Sequence, residues 1–70
     1  MSCQGKDSWP ELVGVRGEEA AAATIEQENM TVSAEIILDG TKVSSALFLC
    51  NRVRVWVNTS GICVRVPIIG

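Results

Sequence analysis

Few residues in this chain can do chemistry. Cysteines stand at positions 3, 50 and 63, and His and Tyr are absent. Without His the chain lacks the usual general base and the usual neutral metal ligand. A nucleophile at Cys50 or Cys63 has no such base beside it in the sequence, which argues against an enzyme. The cysteines form no C-x-x-C pair, so zinc and thioredoxin-type chemistry are not expected. They allow one disulfide with one thiol left over. No metal or cofactor is implied. Six basic and eight acidic residues leave a net charge of −2. Phosphate binding needs a basic surplus, so nucleic acid is not the expected partner. A binding module is the better expectation.

These groups must be positioned by a small fold. Seventy residues, 47% of them hydrophobic, allow one domain over residues 1–70. A chain this short buries only ~60% of its unfolded surface, so a covalent staple is useful. No signal peptide is visible, and the apolar runs 20–23 and 46–50 are too short to span a bilayer. The compartment stays open between cytoplasmic and extracellular. The sequons Asn29-Met30-Thr31 and Asn58-Thr59-Ser60 read as chance matches without a secretion signal.

Ser8-Trp9-Pro10-Glu11 fits a capping box opening one helical turn that ends near Gly14. Glu18 to Asn29 is alanine-rich and opens with two acids, which predicts a helix. Ala20, Ala21, Thr24 and Ile25 form its apolar stripe. Val32 to Leu38 reads as a strand, and Asp39-Gly40 as a turn. Arg52-Val53-Arg54-Val55-Trp56-Val57 is a half-buried strand. Val53, Val55 and Val57 should face the helix, with Arg52, Arg54 and Trp56 facing away. Asn58 to Gly61 is a turn, and Ile62 to Val66 is read as a third strand closed by Pro67. The expected fold class is α+β, a single helix packed on a small mixed β-sheet. If the first two strands are parallel, a right-handed crossover joins them.

The connection from Asp39 to Asn51 is long, without helical periodicity, and apolar at its centre. Long loops in compact domains are usually functional or disordered, and this one is too apolar for disorder. Ala46 to Cys50 is either a fourth buried strand or part of an exposed binding loop.

Three blocks bear on that choice: Ser8-Trp9-Pro10-Glu11-Leu12-Val13-Gly14, the alanine-rich helix, and Asn51-Arg52-Val53-Arg54-Val55-Trp56-Val57-Asn58. Together with Val66-Pro67-Ile68-Ile69-Gly70 they resemble the potato inhibitor I family. The resemblance covers essentially the whole chain. It implies a serine protease inhibitor with a long exposed reactive-site loop between the first two strands, acting as a monomer. It also implies that Arg52 and Arg54 support the loop, that Cys3 and Cys50 form a disulfide, and that Cys63 takes a core position. An intermolecular disulfide at Cys63 is the alternative. Plant defence is the setting such kinship suggests.

The loop departs from the family pattern. Counting forward from Gly40 puts Ser44 at P2, Ser45 at P1 and Ala46 at P1′. Counting back from Asn51-Arg52 puts Ala46 at P1 and Leu47 at P1′. The loop is therefore one residue longer than the pattern, and neither count puts an acid at P1′. Losing a hydrogen bond to a charged group costs about 1.5–3 kcal/mol, or roughly 10- to 150-fold in loop ordering. A P1 of Ser or Ala is too small for a trypsin or chymotrypsin pocket, which leaves elastase- or subtilisin-like targets. The competing expectation is a non-inhibitory member whose apolar loop binds another protein or has lost function.

Overall fold

The alternation of Val53, Val55 and Val57 with Arg52, Arg54 and Trp56 organises the molecule. The computed structural model describes residues 3–42 and 47–70. Strand β1 is Ser33–Leu38, β2 is Arg52–Val57 and β3 is Ile68–Ile69. The order is β1-β2-β3, with β1 parallel to β2 and β3 antiparallel to it. Registers run from Ser33 opposite Arg52 to Leu38 opposite Val57, and Val53 lies opposite Ile69. Buried and half-buried residues alternate strictly along β2. This is the period-2 signature of a strand with one face on the core.

The helix α1 spans Ala22–Glu28, preceded by a π-helical turn over Gly17–Ala21. Within that turn the Ala22 N–H donates to the oxygen of Gly17, five residues back. Ala21 and Ile25 are fully buried with Trp9, Val53 and Val55. Ala20 is exposed and Thr24 half-buried, so the apolar stripe is narrower than the composition suggested. Gly17 is required here: a Cβ on it would overlap Cγ1 of Val57 and lie 3.4 Å from Val55. Its N–H donates to Gly61 O at 2.8 Å, which ties this turn to the turn that follows β2.

Two local readings are corrected. The third strand is not Ile62–Val66 but Ile68–Ile69. Ile62 and Cys63 make only single bridges, to Arg16 and Val57. Pro67 does not end the strand. It is buried, and its oxygen accepts from Trp9 N at 2.9 Å. A proline before a strand removes no ladder donor, so the chain can enter the sheet just after it. Ser8 does not cap a helix either. A 3-10 turn spans Pro10–Leu12 with Trp9 at its cap and no side-chain cap bond, while Ser8 bridges Ile68. The pull on this segment is Trp9, which is fully buried and donates from Nε1 to Glu28 at 3.0 Å.

Candidate functional site

A parallel β1–β2 pair forces the chain from the end of β1 back to the start of β2. Residues 39–51 make that crossing, so the fold itself creates the loop. Its exit limb begins with a turn in which Thr41 N donates to Leu38 O at 3.0 Å. Gly40 has φ +93° in this turn, a backbone state other residues rarely adopt. Asp39 N donates to Val57 O at 2.7 Å.

The return limb is tied more heavily. Arg52 Nη2 donates to Leu47 O at 2.5 Å, and its Nε donates to Gly70 O at 2.8 Å. Leu49 N also donates to Gly70 O, at 3.4 Å, while Gly70 N donates to Arg52 O at 2.9 Å. Arg52 thus joins the loop, β2 and the residue after β3. Its loop partner is a main-chain oxygen, so this bond does not depend on which side chain the loop carries. Arg54 lies on the same outward face, half-buried. It lines a cleft with Trp56, Arg65, Val66, Ile68 and Gly70.

Cys3 and Cys50 are joined by a disulfide with Cα atoms 5.3 Å apart, closing 47 residues of sequence. This anchors the return limb to the N-terminal arm. The arm is held in turn by Asn29, which is 4% exposed. Its Nδ2 donates to Gln4 O and Lys6 O, both at 2.9 Å, and its Oδ1 accepts from Thr31. The first sequon is therefore occupied structurally: its amide nitrogen is engaged inside the fold. Cys63 is buried, and its thiol donates to Arg65 O at 3.1 Å. Burial pushes that thiol above the ordinary cysteine range.

Of the sequence-predicted loop residues, Ser44, Ser45 and Ala46 lie outside the described residues. Leu47 is described and 66% exposed, beside Phe48 at 62%. The region 47–49 is not a strand. Two features escaped the sequence reading. One is the role of Gly70 as the shared acceptor for Arg52 and Leu49. The other is an ion pair between Arg65 Nε and Asp39 Oδ1 at 2.8 Å, with the Arg65 guanidinium 4.8 Å from the centre of the Trp56 ring. Parity places Trp56 on the outward face, but nothing along the chain joins it to Asp39 or Arg65.

Comparison with known proteins gives a consistent result. The sequence model of the potato inhibitor I family matches residues 2–70. An inhibitor of trypsin and Hageman factor from Cucurbita maxima is 54% identical over 69 residues, covering 99% of this chain and 98% of the relative. A Glu S. griseus protease inhibitor from Momordica charantia is 56% identical over 68 residues, covering 97% of each. The crystal structure of bitter gourd trypsin inhibitor superposes with a TM-score of 0.93 at 53% identity, covering both chains completely.

Proposed function

The chain belongs to the potato inhibitor I family of serine protease inhibitors, and we propose that it inhibits by offering loop 39–51 to the target as a substrate would be offered. It is an inhibitor and not an enzyme; the protease brings the catalytic groups. The observation that carries the mechanism is the Arg52 bridge from Leu47 O to Gly70 O. A loop held in this way meets its ordering entropy on folding rather than on binding. The disulfide holds the return limb through Cys50, and the Thr41 turn holds the exit limb. The two ends created by a cut therefore stay close, and religation competes with release. Arg52 and Arg54 are the loop-supporting residues in this reading, and Ser44, Ser45, Ala46 and Leu47 the contact residues.

The target follows from the small residue at P1. Both counts place Ser45 or Ala46 there, whereas a trypsin pocket calls for Lys or Arg. Lys42 lies about three residues upstream of P1. Elastase- or subtilisin-like proteases, with pockets that accept small side chains, are the partners proposed, although relatives carry trypsin in their names. The missing P1′ acid weakens the loop less than a side-chain count suggests, since Arg52 bonds a main-chain oxygen.

The test is titration against elastase, subtilisin, chymotrypsin and trypsin, with sequencing of any product. Tight inhibition of the first two, with slow cutting at Ser45-Ala46 or Ala46-Leu47, is expected. Rapid proteolysis of the loop, or no effect on any of the four, overturns the reading. The exposed Leu47 and Phe48 would then mark a protein-binding surface without inhibitory action.

A further inference from the structure

The exit limb of the loop has a clamp of its own. Arg65 crosses the outward face of the sheet, stacks over Trp56 and reaches Asp39, the first residue after β1. Its backbone is fixed independently. The Cys63 thiol donates to its oxygen, and the preceding Val64 N donates to Trp56 O at 2.9 Å. Trp56 lies opposite Ile37 in the β1–β2 register, so it underlies the end of β1 where the loop departs. Guanidinium suits this place better than ammonium. Its planar face can lie on the indole while Nε donates to the carboxylate.

We propose that Arg65 is a positioning residue for the loop's exit limb, holding Asp39 to Trp56 as Arg52 holds Leu47 to Gly70. The functional consequence rests on reading 39–51 as the protease-contacting loop. The return limb has a disulfide and the Arg52 bonds, whereas the exit limb adds the Arg65–Asp39 pair to the main-chain bonds of Asp39 and Thr41. Asp39 and Arg65 are 39% and 56% exposed, so salt should weaken this clamp.

Amide hydrogen exchange at Asp39 and Thr41 reads the clamp without a protease. In Arg65→Ala these two amides should exchange roughly three- to thirtyfold faster, the range for one exposed ion pair plus one cation–π contact. Amides of Ile25 and Val55 should be unchanged. Arg65→Lys should recover part of the protection, and Asp39→Asn should lose as much as the ion pair supplies. Raising the salt concentration should accelerate exchange at Asp39 and Thr41 in the wild type but not in Arg65→Ala. Unchanged exchange at these two amides, or equal acceleration through helix and sheet, overturns the proposal. Loop cleavage by subtilisin, measured on the same variants, tests the inhibitory reading separately. A wild type that inhibits nothing but shows the exchange pattern sinks that reading and leaves the clamp standing.

Discussion

Arg52 donates to the main-chain oxygens of Leu47 and Gly70 at once, at 2.5 and 2.8 Å. One side chain on the outward face of β2 thereby couples the loop to the residue that follows β3. Two nitrogens of one rigid fork make this possible, and a point charge on a flexible stem could not reproduce both bonds.

Arg52→Ala should leave the core intact and loosen the loop. Charge-assisted bonds contribute about 1.5–3 kcal/mol each, so cleavage within the loop should rise about tenfold or more. Arg52→Lys should restore little of the resistance. Product formation with subtilisin, followed by mass, provides the check. Unchanged cleavage in Arg52→Ala would remove the support role.

The Cys3–Cys50 bridge should stabilise by about 4 kcal/mol in the chain-entropy model for a closure of this length. Cys3→Ser should lower the urea midpoint accordingly. Alkylation of the denatured but unreduced protein should label one thiol, Cys63; three labelled thiols would contradict the bridge. In the native protein Cys63 should react slowly, because it is buried and its thiolate is disfavoured.

Lys6 pairs with Glu11 and with Glu28, the latter at 2.9 Å. The bond from Lys6 lowers the Glu11 carboxyl from its ordinary 4.5, and Glu11, then Glu28, raise Lys6 from its ordinary 10.5. A depressed carboxyl contributes stability that is present above the ordinary value and is lost as pH falls through the folded one. A raised ammonium contributes below its ordinary value and loses that contribution as pH rises through the folded one. Lys6→Ala should therefore lower the urea midpoint at neutral pH, and the gap from wild type should shrink below pH ~4.5. A gap that persists undiminished in strong acid would refute the assignment.

Gly17→Ala should destabilise the fold by about 1–3 kcal/mol, since the added methyl has no room beside Val57 and Val55. Gly14→Ala is the control for lost space. Its Cβ position is open, though its φ of +91° adds backbone strain. Gly17→Ala should cost less in a Val57→Ala background than in the wild type, although Val57→Ala lowers stability itself by losing core burial. An equal cost in both backgrounds would place it in the backbone rather than the contact.

The sequence by itself determined the layers. Period 2 in Arg52–Val57 set the inward valines and the outward arginines, and the alanine-rich run set a helix thin enough to lie on them. The Trp9 block, the arginine strand and the chain's ending also sufficed for the family. What the sequence left open were contacts between segments far apart in the chain. The third strand fell on Ile68–Ile69 because only packing decides which of two apolar stretches borders β2. Ser8 became a bridge to Ile68 once burial of Trp9 had drawn that segment onto the fold. The Asp39–Arg65–Trp56 clamp and the Gly70 acceptor join residues that carry no mutual signal along the chain. Hydrophobic periodicity is local and can be read in order, whereas a hydrogen bond or ion pair needs two groups brought within about 3 Å, and only the folded topology brings them there.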